Sequence, residues 1–112
     1  MSNEKAKRIA ELNDQLRTTF NPIAGRIIYT NGIAALEDND RLQIFTLVKT
    51  FNNFTEENDP HGEHDFGRVE YDGHVAFFKF DYYDKSLRKG SPDPSDADVT
   101  ERVMTILLAS EY

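Results

Sequence analysis

The chain has 112 residues, a formal charge of −7, and neither Cys nor Trp. That length suits one domain, and folding at this size buries roughly 65% of the unfolded surface, enough for a modest core. Disulfides and thiolate metal centres are excluded, and the acidic balance opposes sequence-independent binding to a phosphate backbone.

The charge is unevenly placed. From Glu56 to Glu101 there are thirteen Asp or Glu against five Lys or Arg, while the remaining residues carry seven acids and eight bases. Such a surface serves solubility or meets a basic partner. The start of the chain is a charged helical pattern without an apolar signal core. The late apolar run Ile106-Leu107-Leu108-Ala109 is too short to span a bilayer. A cytoplasmic location away from membranes is expected.

Ile9, Leu12, Leu16 and Phe20 recur at helical spacing, which predicts a first helix ending at Asn21-Pro22. Arg26 to Thr30 reads as a short strand closed by the turn signal Asn31-Gly32. Ile33 to Leu36 fits either a strand or a helical turn. Glu37 to Asp40 offers capping groups for a second helix, whose inward stripe is expected to be Leu42, Phe45, Val48 and Phe51. Asn52 to Gly67 reads as loop. Arg68 to Tyr71 and His74 to Asp81 form a hairpin about Asp72-Gly73. Ser86 to Asp98 is a second polar loop, stiffened by Pro92 and Pro94, in which Asp96 or Asp98 caps a last helix. That helix would bury Val99, Val103, Ile106 and Leu107. The expectation is an α+β single domain over residues 1–112, of order α-β-α-β-β-α, with the antiparallel hairpin packed against helices.

A two-residue turn sets the hairpin register: Tyr71 opposes His74 and Val69 opposes Ala76. Val69, Tyr71, Ala76, Phe78, Phe80 and Tyr82 then share the core face. Arg68, Glu70, Val75, Phe77, Lys79 and Asp81 share the other. Continued past Gly67, the same register sets His64 across from Asp81, within reach of an imidazole–carboxylate bond. The polar run Asn58-Asp59-Pro60-His61-Gly62-Glu63-His64-Asp65-Phe66-Gly67 thereby faces Asp81-Tyr82-Tyr83-Asp84.

Three roles are open to this cluster. His61, Glu63, His64 and Asp65 have metal-ligand chemistry, with Asp59 or Asp81 to complete a shell, although His-x-Glu-His on a loop matches no standard metal motif. His64 held by Asp81 has the makings of a general base. Alternatively, the aspartates and glycines only shape the loop through side-chain-to-backbone bonds. The candidate binding residues are Asp59, Glu63, His64, Asp65, Asp81, Tyr83, Asp84, Asp93 and Asp96. No cofactor or resident metal is assigned. Walker, dinucleotide and Ser or Cys nucleophile signatures are missing.

Thr30-Asn31-Gly32-Ile33, the run Asn58 to Gly67, Lys79-Phe80-Asp81-Tyr82-Tyr83-Asp84, Ser91-Pro92-Asp93-Pro94 and Leu107 to Tyr112 follow one another in order. In this the chain resembles the bacterial family catalogued as domain of unknown function 3768, from about Leu12 to Tyr112. The resemblance implies no settled activity, cofactor or site. His61 stands where the family carries an aromatic residue, which counts against it as a ligand. Small proteins of this kind resemble cargo of mobile elements, where inhibitors of host defence are common.

The leading expectation is a small acidic binding or inhibitor protein that meets a basic protein partner. An anti-CRISPR-like, nucleic-acid-mimicking factor would be one form of it. The alternative is a metal-assisted or acid–base hydrolase centred on His64, Asp65 and Asp81.

Overall fold

The computed structural model describes residues 3–112. Helix α1 (Asn3–Thr19) leads to strand β1 (Arg26–Tyr29), a single helical turn α2 (Asn31–Ala34) and helix α3 (Asp38–Thr50). Strands β2 (Phe66–Tyr71), β3 (His74–Tyr83) and β4 (Glu101–Leu108) follow, with 3-10 turns at Ala97–Val99 and Ala109–Glu111. The sheet order is β1-β4-β3-β2. β1 runs parallel to β4, and the other pairs are antiparallel. The α+β class stands, with the hairpin packed against helices.

One element differs from expectation. The segment read as a last helix is strand β4, at the centre of the sheet between β1 and β3. A central strand is covered on both faces and loses the polar alternation that marks a half-buried one. Val103 and Leu107 are buried on one face and Met104 and Ile106 on the other, so the run of apolar residues mimics a helical stripe. The capping role of Asp96 survives, reduced to the 3-10 turn, where its side chain accepts from the Asp98 N–H at 2.9 Å.

The hairpin has the expected register, Phe66 opposite Lys79 through Tyr71 opposite His74. Asp72 and Gly73 both take left-handed φ values, +52° and +79°, as a tight two-residue turn requires. The core face carries Val69, Ala76, Phe78 and Phe80 with Met104 and Ile106 from β4. Leu16 of α1 and Ile44 and Val48 of α3 close over it. Gly67 lies under this layer, where an added Cβ would strike Cε2 and Cζ of the Phe78 ring.

The inward stripe of α3 also needs correcting. Leu42 is 61% exposed, and Ile44 and Val48 are the buried pair. Steps of three residues drift about 60° each around a helix, so Leu42 and Phe51 lie on about opposite sides. Glu37 is the N-cap residue but makes no side-chain capping bond. Arg41 instead donates to the Ala34 and Leu36 carbonyls at 3.1 and 2.9 Å, tying α2 to α3.

Candidate functional site

The loop between α3 and β2 folds around one buried carboxylate. The Asp59 side chain is 5% exposed and accepts from the backbone N–H of Glu63 at 3.2 Å and of His64 at 3.1 Å. Gly62 and His64 take φ values of +71° and +57°, turning the chain sharply before β2. Left-handed φ is costly for histidine, and its fixed N–H and ring offset that cost.

The turn sends His64 away from Asp81. Its imidazole stacks flat on Phe54, centroids 4.0 Å apart, and its Nδ1 lies 3.0 Å from Asp14 of α1. Its Nε2 is 3.8 Å from Asp59. The expected His64–Asp81 pair is therefore not formed. Asp81 lies on the other face of the sheet and accepts from Lys79 Nζ at 2.7 Å. Strand pairing itself runs one residue past β2, since Phe80 N–H donates to the Asp65 carbonyl at 3.0 Å. The left-handed residue at position 64 ends it there.

Asp14 also accepts from Arg17 Nη2 at 2.9 Å. Arg17 is buried, and its Nη1 donates to the Val48 and Phe51 carbonyls at 2.9 and 2.8 Å. Those carbonyls lie at the C-terminal end of α3, where Val48 otherwise accepts only a long bond from Phe51 N–H at 3.4 Å, so a cation from α1 caps α3. The guanidinium lies 5.3 Å from the centroids of both Phe54 and Phe78. Its Nε is buried with no hydrogen-bond partner.

A second chain of bonds starts at Asn13, which is fully buried on α1. Its amide donates to the Tyr82 hydroxyl at 2.9 Å and the Glu63 carbonyl at 3.0 Å, and its oxygen accepts from Arg102 Nε at 2.6 Å. Arg102 also donates to the Pro94 carbonyl and lies over the Tyr82 ring. Burial raises the Tyr82 phenol above its ordinary value and lowers the Arg102 guanidinium below its own. Glu63 is raised by burial first and then by the Asp65 charge. Burial is also the main cause of the raised Asp65 value, reinforced by Asp59. Carboxyl groups pressed together out of water hold their protons more tightly.

Of the nine candidate binding residues, the fold gathers Asp59, Glu63, His64 and Asp65 around α1, and leaves Asp81 and Tyr83 apart from them. Asp84 accepts from Ser86 Oγ and Arg88 N–H, and Asp93 accepts from the N–H and Oγ of Ser95. These hydrogen bonds lower both carboxyls, with the serine contact first in each case. His61 is exposed. The missed partners are Asn13, Asp14, Arg17 and Arg102. A polar residue at an inward helical position, as Asn13 and Arg17 are beside Ile9 and Leu16, was the signal available for two of them.

Among the described residues, the group close enough to share a divalent cation is Asp40, Asp72 and His74, with ligand atoms all within 4.8 Å of one another. It is not the His61–Asp65 run. His74 Nε2 already pairs with Asp40 at 3.3 Å.

The two long loops, residues 52–65 and 84–100, adjoin the open end of the hairpin, opposite Asp72-Gly73. Together they hold nine acids against three bases, six of the seven net negative charges. Glu56, Glu57, Asp84, Asp96 and Asp98 there have no Lys, Arg or His within ion-pair distance among the described residues. Clefts of about 520, 640 and 300 Å³ indent the surface, and His64 lines none of these three. No described helix is long and apolar enough to cross a membrane.

A family model described as a protein of unknown function, DUF3768, matches residues 29–111. The match takes in both loops and strands β2, β3 and β4, but only Tyr29 of β1, and it leaves α1 outside. No curated protein matches the chain, and no solved structure does.

Proposed function

We propose that this chain, which belongs to the DUF3768 family, is an acidic protein-binding module whose loop end meets a basic partner. One observation carries the reading: six of seven net negative charges fall on two loops at a single end of the fold. Concentrated charge of one sign steers an oppositely charged partner and accelerates encounter. In its narrowest form the module is a decoy that offers carboxylates in place of phosphates to a nucleic-acid channel, as an anti-defence factor of the anti-CRISPR kind would. Such a partner sets the site of action in the cytoplasm.

The hydrolase reading draws less support from the geometry. Both nitrogens of the His64 ring face protein carboxylates, at 3.0 and 3.8 Å, and the ring face is covered by Phe54. A general base needs a nitrogen open to substrate.

The test is capture of partners by the immobilised protein at low and high salt, beside a Glu56→Gln, Glu57→Gln, Asp98→Asn variant. The reading expects a basic nucleic-acid-binding protein, released by salt and lost in the variant. Retention indifferent to salt and to the three substitutions would overturn it.

A further inference from the structure

The second buried arginine is not balanced as the first is. Arg17 has the Asp14 carboxylate at 2.9 Å. Arg102 is only 3% exposed, yet its bonds go to the neutral Asn13 amide and Pro94 carbonyl, and no carboxylate pairs with it among the described residues. Those two bonds use Nε and Nη2. Nη1 has no hydrogen-bond partner, and it is not among the buried unpartnered atoms, so it reaches solvent. A desolvated cation with no carboxylate in contact, eased only by the Tyr82 ring face and by Glu63 at longer range, gains from an anion brought from outside.

Arg102 lines the cleft of about 520 Å³ between α1, the turn at residues 21–25 and the 84–100 loop. That volume lies within the range of small-molecule sites. Two further donors on its wall are uncommitted, the Lys85 ammonium and the Gln15 amide. Leu12 and Pro22 give it an apolar side, and Ile23, 92% exposed, stands at its lip. Glu101 lines it as well, held at 3.1 Å by Arg26.

We propose that this cleft binds a small organic monocarboxylate, its anionic oxygens on Arg102 Nη1 and Lys85 and its apolar body against Leu12 and Pro22. One free guanidinium nitrogen and one ammonium match a single negative charge. A dianion would set its second charge against Glu101, which favours carboxylate over phosphate. The apolar wall selects an organic body over a bare ion. The cleft borders the acidic 84–100 loop of the binding module, but its test does not depend on any protein partner.

The probe is benzoate, followed by backbone amide NMR shifts, with benzamide and inorganic phosphate as comparisons. Benzoate should shift the amides of Thr19, Ala24, Gly25 and Thr100 saturably, and benzamide should not. Lys85→Gln, at an exposed position, should weaken benzoate about threefold, the size of one exposed charge contact. Arg102→Gln should abolish binding where it keeps a cooperative unfolding transition; where it does not fold, Lys85→Gln and the map of shifted amides decide. Absence of saturable shifts, or shifts confined to other surfaces, would overturn the proposal. Equal response to benzamide would remove the anion requirement, and response to phosphate alone would remove the organic carboxylate.

Discussion

Asp14 and His64 lie fifty residues apart in sequence and 3.0 Å apart in the fold. The carboxylate serves two side chains, because Arg17 Nη2 also donates to it at 2.9 Å. Through that one side chain, α1 holds both the end of α3 and the loop that precedes β2. The run around His64 thus works as a latch on the loop.

Asp14→Ala should destabilise the protein by about 1–2 kcal/mol, since it strips a partly exposed carboxylate from the Arg17 guanidinium and the His64 ring. Asp81→Ala should change stability by no more than about 0.5 kcal/mol, because its ion pair with Lys79 is at the surface. Urea unfolding of both variants measures the contrast. A larger loss at Asp81 than at Asp14 would return His64 to the partner that the strand register implied.

Truncations on the two faces of β3 should also differ. Phe80, 7% exposed and in contact with Phe78, should cost about 3–5 kcal/mol as Phe80→Ala. Phe77 points to the helix-free face, where Phe66 and Tyr112 cover it only in part. Phe77→Ala should cost clearly less in the same denaturant melt, and equal losses would contradict the face assignment.

The hairpin was legible because its information is local. Asp72-Gly73 fixes the turn, and alternation fixes which side chains face the core. The last strand was not legible, because Val103, Met104, Ile106 and Leu107 owe their burial to a central place in the sheet that no local pattern reports. The site divides in the same way. Asp59, Glu63, His64 and Asp65 stood out as a polar run within one segment. Asp14 and Arg17 looked like part of a solvated helix surface, since their partners lie more than thirty residues away. One left-handed residue, His64, ended a register that was right on every pair up to Asp65 and Phe80.

Gly67 tests the close packing of the hairpin on the helices. Its Cα faces the Phe78 ring, and an added Cβ would also come within 3.2 Å of Phe51 Cε2. Both rings belong to an edge-to-face pair at 5.3 Å and have little room to move. Gly67→Ala should therefore destabilise by about 1–3 kcal/mol despite the better strand propensity of alanine. Gly73→Ala meets no neighbouring atom, and its cost should come from the +79° φ alone. Thermal melts showing Gly67→Ala at or above wild-type stability would contradict the packing under Phe78.

The raised carboxyl of Glu63 makes a prediction about pH. Burial and the neighbouring Asp65 charge lift its value in the folded state above the ordinary 4.5. A group raised on folding contributes stability that is complete below its unfolded value and is lost as pH climbs through the folded one. At neutral pH the ionised Glu63 is therefore a liability, held beside Asp65 and offset in part by the Tyr82 hydroxyl at 3.4 Å. Glu63→Gln keeps an acceptor for that hydroxyl and removes the charge. The variant should gain stability relative to the parent as pH rises from about 4.5 through the folded value, and the gain should level off above it. Below pH 4, where Glu63 is protonated in both states, the two proteins should converge. Urea midpoints measured across this range give the difference directly. A gap that stays constant with pH, or one that widens on acidification, would show that Glu63 is not held above its ordinary value.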